Sequence, residues 1–129
     1  MGKSVKKKNI LLVDDEESFS LLLKSNLERR GNFEVATTSN PNDVIRLAKE
    51  NHPDLILLDI LMPEIDGMTL AASLRANKDT GDIPIAFLTA LADEKDVRDV
   101  RGKAGENYIF SKLGSTDELI MSISEILIK

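Results

Sequence analysis

The stretch DLILLDILMPEIDGM, Asp54 to Met68, decides the fold. Leu55, Ile56, Leu57 and Leu58 form an unbroken aliphatic run. A run this short reads as a strand buried on both faces, the usual state of a strand in a parallel sheet. It ends abruptly in a carboxylate, Asp59, and a helical pattern is expected from Met68 to Asn77.

The alternation of strand and helix extends to both sides. Upstream, Asn9 to Val13 (NILLV) is a second buried strand, ending in Asp14 and Asp15. Glu17 to Arg30 follows as a helix with Phe19, Leu22, Leu23 and Leu27 at helical spacing, stopped by Gly31. Phe33 to Thr38 (FEVATT) alternates as a strand does. Asn40-Pro41-Asn42-Asp43 then signals a helix start, with Val44, Leu47 and Ala48 on one face and an end before Pro53. Downstream, Ile83 to Leu88 is a strand followed at once by Thr89, and Asp93 to Lys103 reads as a charged, largely exposed helix. Tyr108 to Ser111 (YIFS) is the last strand, followed by Lys112. Ser115 to Ile128 closes the chain as a helix, with Ser115 and Glu118 at capping-box spacing. Its core stripe is expected at Leu119, Ile123 and Ile126 or Leu127, with Ile120, Met121 and Ile128 outside it. Five such units imply a parallel sheet with helices on both faces, because parallel strands need crossovers and these are right-handed.

The chain of 129 residues has room for one domain and one core. With 42% hydrophobic and 30% charged residues it is not a disordered chain. No apolar run approaches the roughly 18 residues that cross a bilayer. The start, MGKSVKKK, lacks the apolar stretch and cleavage site of a signal peptide. The absence of cysteine excludes disulfide and thiolate chemistry and fits a reducing cytoplasm. Net charge is −5, and because Lys3, Lys6, Lys7 and Lys8 supply four positive charges, the remainder carries nine net negative ones. So acidic a body is a poor binder of nucleic acid. Residues 1–8 are expected as a solvated basic tail and residues 9–129 as one α/β domain, without internal repeat or linker.

In an open parallel sheet, ligands bind beyond the carboxyl ends of the strands, near the switch in strand order. Asp14 and Asp15, Asp59, Thr89 and Lys112 each follow a strand directly, so four distant segments deliver their polar groups to one rim. One aspartate at a strand end is ordinarily a turn-former or a helix cap; the coincidence of four segments overturns that reading. Three adjacent carboxylates repel, and one takes up a proton unless a cation compensates. A hard divalent ion resolves the conflict, and Mg²⁺ suits an incomplete oxygen cage that awaits phosphate oxygens. Lys112 is a point charge suited to a phosphoryl oxygen, and Thr89 offers a hydroxyl donor.

These segments, in this order and spacing, resemble the response-regulator receiver domain of two-component signalling from about Lys8 to Lys129. The pieces that carry the resemblance are LLVDDEE (Leu11 to Glu17), DLILLDILMPEIDGM, FLTA (Phe87 to Ala90) and the lysine of IFSKL (Ile109 to Leu113). The block from Asp59 to Gly67 is the most specific, its Pro63 and Gly67 shaping the loop after Asp59. The resemblance implies a single doubly wound five-stranded parallel sheet in the flavodoxin-like order 2-1-3-4-5, with five helices. It implies that Asp59 is the nucleophile, taking a phosphoryl group from a partner's phosphohistidine. Asp15, Asp59 and the backbone carbonyl of Leu61 would ligate Mg²⁺, and Asp14 would hold a metal-bound water. Thr89 would hydrogen-bond the phosphoryl group and shift with it, and Lys112 would pair with a phosphoryl oxygen. Phosphoryl transfer of this kind rests mostly on positioning and charge neutralisation.

The sequence departs from the family pattern in three places. Leu113 stands where the family usually has a proline joined by a cis peptide. A cis bond before a non-proline residue costs about 3–4 kcal/mol, so a trans Lys112–Leu113 bond is expected. Ile109 occupies the switch position, where the family commonly has an aromatic, and alternation sends Tyr108 to the other face. Coupling of Thr89 to an aromatic is therefore expected to be weakened or rerouted. Leu61 and Leu91 flank the route of the hydrolytic water with apolar side chains, which implies slow self-dephosphorylation.

Two competing readings follow from the same residues. A receiver-like interaction module without phosphorylation is prompted by Leu113 and Ile109, but the retained carboxylates, Thr89 and Lys112 argue against it. A Mg²⁺-dependent phosphatase with an aspartyl nucleophile would place its acidic residues as DxD on the first strand, whereas Asp14 and Asp15 are adjacent. The protein is expected to catalyse only its own phosphorylation and slow dephosphorylation. Expected partners are a sensor histidine kinase or histidine phosphotransfer protein, and a downstream protein target or an effector domain of its own. No nucleic acid or membrane contact is expected. The chain is then a single-domain regulator or a receiver from a longer polypeptide, with the last two helices and strand five as the surface for dimerisation or partners.

Overall fold

The computed structural model describes residues 7–63, 65–90, 108–112 and 114–128. Five parallel strands, β1 (Lys8–Val13), β2 (Phe33–Thr38), β3 (Leu55–Asp59), β4 (Ile85–Thr89) and β5 (Tyr108–Ser111), form one sheet in the order β2-β1-β3-β4-β5. The described helices are α1 (Glu17–Arg30), α2 (Val44–Asn51), α3 (Gly67–Ala76) and α4 (Thr116–Ile128), with a 3-10 turn over Pro41–Asp43. The expected helix from Asp93 to Lys103 lies outside the described residues.

Two apolar layers sandwich the sheet. On one face Leu11, Val13, Ile56, Leu58 and Phe87 pack against Val44 and Ala48 of α2 and Leu70, Ala71 and Leu74 of α3. On the other, Ile10, Leu12, Leu57 and Leu88 meet Leu23 and Leu27 of α1 and Ile123 of α4. Successive residues of a strand point to opposite faces, so the unbroken aliphatic runs of β1 and β3 supply both layers. Each fully buried Leu or Ile contributes on the order of 1.5–3 kcal/mol relative to exposure.

Side-chain caps mark the starts of the 3-10 turn, α3 and α4, while α1 and α2 begin without one. Asn40 Oδ1 accepts the Asn42 N–H before the 3-10 turn, and Asp66 Oδ1 accepts the Met68 N–H before α3. Ser115 Oγ accepts the N–H groups of Asp117 and Glu118, the serine half of the capping box expected of that spacing.

Several details differ from expectation. Leu22 is 62% exposed beside Leu21 on the outer side of α1; Ser20, Leu23 and Leu27 take the buried side. Ile120 packs against the core along with Leu119, Ile126 and Leu127, while Met121 is exposed. Gly31 ends α1 in an extended conformation (φ −113°, ψ 179°), not a left-handed one. Glycine is required there because a Cβ would lie 2.3 Å from the Phe33 ring. Among the described residues, His52 at the end of α2 is the non-glycine residue in the left-handed region. The third helix stops at Ala76, since Asn77 turns extended and its Oδ1 accepts the Asp79 N–H. Strand boundaries shift too. Lys8 joins β1, and Asp54 precedes β3, its Oδ2 accepting the Asn9 N–H. Ile83 belongs to a turn before β4, its N–H bonded to Thr80 O.

Candidate functional site

The carboxyl ends of β1, β3, β4 and β5 converge because the strands pair in parallel and in step. Val13 lies opposite Leu58, Asp59 opposite Leu88, and Thr89 opposite Ser111. The next residue along β1 is Asp14 and the next along β5 is Lys112, whose N–H bonds Thr89 O at 2.9 Å. The sheet register thus brings Asp14, Asp59, Thr89 and Lys112 to one rim.

Asp14 is fully buried, Asp59 and Thr89 nearly so, and Asp15 is exposed. Asp14 Oδ1 accepts the Glu16 N–H at 2.9 Å and Asp59 Oδ1 the Leu61 N–H at 3.2 Å, so backbone turns fix both carboxylates. Lys112 Nζ stands 2.8 Å from Asp14 Oδ2 and 3.4 Å from Asp59 Oδ2. It is also 2.7 Å from Glu16 Oε1 and 4.7 Å from the centre of the Phe19 ring.

The electrostatics are lopsided. Burial, then the charge of Asp14, pushes the Asp59 carboxyl up to about 6, against the opposing pull of Lys112 and the Leu61 N–H. Burial alone would push the Lys112 ammonium down. Its close pairing with Asp14 and Glu16 and the charges of Asp14 and Asp59 more than reverse this, leaving it above its ordinary range.

Asp14, Asp15 and Asp59 each offer an oxygen, and these lie within 4.8 Å of one another. Octahedral ligands about 2.1 Å from a Mg²⁺ are about 3–4.2 Å apart. The cluster is therefore of the size a metal shell requires. Hard oxygen donors, two of them buried and incompletely neutralised by one ammonium, fit a hard divalent cation.

Gly67 shapes the loop after Asp59. A Cβ there would lie 2.3 Å from Asp59 O and 2.8 Å from Ile60 Cα, both backbone atoms that cannot swing aside. Its N–H donates to Ile60 O at 2.9 Å, so α3 begins directly against the residue that carries the carboxylate. Leu61 is half-exposed beside the site. Ile109 packs on the α2–α3 face and Tyr108 on the α1–α4 face, as alternation requires. Leu91 and Leu113, with the expected trans Lys112–Leu113 bond, lie outside the described residues.

Sequence reasoning missed two neighbours of Lys112. Glu16 continues the acidic run after Asp14, and that run was the available signal. Phe19 has the spacing of a core residue, and nothing in the sequence marks it as the lysine's ring partner.

The chain matches the family model of the response regulator receiver domain over residues 10–124. It is 44% identical over 89 residues to the alkaline phosphatase synthesis transcriptional regulatory protein PhoP of Bacillus subtilis, covering 69% of this chain and 36% of that protein. It is 37% identical over 118 residues to the transcriptional regulatory protein SrrA of Staphylococcus aureus, covering 92% and 47%. The chain thus spans less than half the length of these two relatives. Among solved structures, it is similar to the N-terminal domain of the nisin resistance regulator NsrR (TM-score 0.74, 32% identity, covering 93% of this chain and 97% of that one). It is also similar to a response regulator from Desulfuromonas acetoxidans (TM-score 0.76, 28% identity, covering 93% and 96%). The chain belongs to the response regulator receiver domain family.

Proposed function

We propose that this protein is a phosphorelay switch in which Asp59 accepts a phosphoryl group from the phosphohistidine of a sensor kinase or phosphotransfer protein. The observation that carries this is the buried Asp14–Asp59–Lys112 cluster at the strand switch, with Asp15 beside it. An Asp59 oxygen attacks phosphorus in line, an O–P bond forms, the P–N bond breaks, and the imidazole leaves. Asp14, Asp15, Asp59 and the Leu61 carbonyl would hold Mg²⁺, which supplies charge neutralisation at the phosphoryl oxygens. Lys112, already held at the site by Asp14, pairs with one such oxygen, and Thr89 donates its hydroxyl to another. Thr89 and Ile109 form the switch position, and the phosphorylated population shifts toward a different partner-binding surface.

Residues 9–129 act as this domain and residues 1–8 as a basic tail. The setting is cytoplasmic, and the output is a protein target, an effector domain or a homodimer through strand five and the last two helices. No described helix is long and apolar enough to cross a membrane. The half-exposed Leu61 side chain offers no group to orient water, so the phosphoryl group is lost slowly and Leu61→Asn accelerates its loss several-fold.

Phosphorus NMR tests the proposal. With a small phosphodonor and Mg²⁺, an acyl-phosphate signal that hydroxylamine discharges and EDTA prevents is expected. A silent spectrum from folded protein would instead favour an interaction module without phosphorylation.

A further inference from the structure

Strand β2 is one edge of the sheet, and its outward hydrogen-bonding groups face no described strand. The Lys8 and Asp14 N–H groups bond Asn32 O and Thr38 O, so even-numbered residues of this segment pair inward with β1. Alternate residues of a parallel strand bond to opposite sides, which turns Phe33, Val35 and Thr37 outward. A groove of about 380 Å³, lined by Lys24, Glu28, Glu34, Val35, Leu47 and Pro53 among others, opens along this edge.

The central outward position is occupied by side chains of α1. Glu28 Oε2 accepts the Val35 N–H at 3.0 Å, and Lys24 Nζ donates to Val35 O at 2.6 Å. The two side chains are themselves paired at 3.1 Å. A carboxylate on the N–H and an ammonium on the C=O reproduce what a neighbouring strand would offer. The order of the pair also points to the strand. On an isolated helix, Lys four residues before Glu is the weaker arrangement, and Glu before Lys the stronger. The native order is the one that matches donor to acceptor on Val35. The Glu28 carboxyl is held below its ordinary range chiefly by the Val35 N–H, with Lys24 adding to it against a desolvation cost.

We propose that Lys24 and Glu28 form a latch that closes the β2 edge against pairing with β2 of a second copy of this chain. An open edge is a template for strand addition, and charged side chains are a common way to blunt it. Two identical edges related by a two-fold axis are self-complementary, with Val35 facing Val35 across the axis. Holding both outward groups of Val35 leaves only the separated positions Phe33 and Thr37, too few for a continuous ladder.

The test is the charge-swapped double variant Lys24→Glu with Glu28→Lys. It keeps helix propensity and places the helix pair in its stronger order, but sets an ammonium against the Val35 N–H and a carboxylate against the C=O. The Val35 amide is expected to exchange about tenfold faster or more, with the Leu12 and Leu57 amides unchanged. Sedimentation is expected to show self-association beyond that of the wild type, whereas Glu28→Gln, which keeps an acceptor, behaves as wild type. Wild-type Val35 exchange in the swapped protein would overturn the proposal, leaving a simple helix ion pair. Faster exchange without added association would overturn the protective role. Should the swapped protein fail to fold, Glu28→Ala is measured in the same two ways, and unchanged Val35 exchange or unchanged association again overturns the latch.

Discussion

The interior and the rim of the two central strands differ by a single residue in sequence and by the whole of their chemistry. Ile10 to Val13 and Leu55 to Leu58 are buried aliphatic side chains that agree with every neighbour. One residue further on, Asp14 and Asp59 are just as buried but carry charges that repel, held by backbone N–H groups and one lysine. The interior stabilises the fold, and the rim gives up part of that stability to hold three carboxylates and one ammonium together. The same burial that strengthens the interior raises the Asp59 carboxyl. The raised Asp59 carboxyl and the local instability of the rim thus have one cause.

The largest expected effect lies in the interior. Leu57→Ala removes a fully buried side chain from the layer packed against α1 and α4 and is expected to lower unfolding free energy by about 2–5 kcal/mol in urea denaturation. A loss much below that range would mean that the core collapses around the gap.

At the rim, the sign reverses. The Asp59 carboxyl lies near 6 when folded, above its usual 3.8, so its ionised form is the one folding disfavours. In metal-free protein this penalty is complete above pH 6 and vanishes as pH falls below about 4, giving relative stabilisation on acidification. At pH 8 with EDTA, Asp59→Asn is therefore expected to be more stable than wild type, by on the order of 2–3 kcal/mol at most. The difference between the two proteins should shrink toward pH 4. Added Mg²⁺ should raise the wild-type melting temperature and leave Asp59→Asn less affected. A wild type that matches Asp59→Asn at both pH values would contradict the account of the rim.

Gly67→Ala tests the boundary between the regions. Its Cβ must displace the backbone at Asp59 and Ile60, which is expected to cost about 1–3 kcal/mol and to slow labelling of Asp59. The smallest effect is expected far from both regions. Arg30→Ala removes the exposed ion pair to Asp117 between α1 and α4 and should change stability by less than about 1 kcal/mol in the same denaturation assay.

The central strands were legible because aliphatic runs such as Leu55 to Leu58 have few alternatives, and the rim because four strand ends carried polar groups in one pattern. The flanking detail was less so. Leu22 and Leu23 are equally apolar in sequence, and only the docking angle of α1 decides that Leu23 is buried and Leu22 exposed. Gly31 carried the signature of a left-handed cap, but what demands glycine is the Phe33 ring two residues later, a tertiary contact. Glu16 was signalled only by its place in the acidic run, and that it shares Lys112 with Asp14 depends on the distance between the ends of β1 and β5.

The most direct test of the central claim is the intact mass of the folded protein after incubation with acetyl phosphate and Mg²⁺. The wild type is expected to gain one phosphoryl group, and Asp59→Asn none under the same conditions. An unlabelled wild type, or equal labelling of the two proteins, would contradict the assignment of Asp59 as the acceptor.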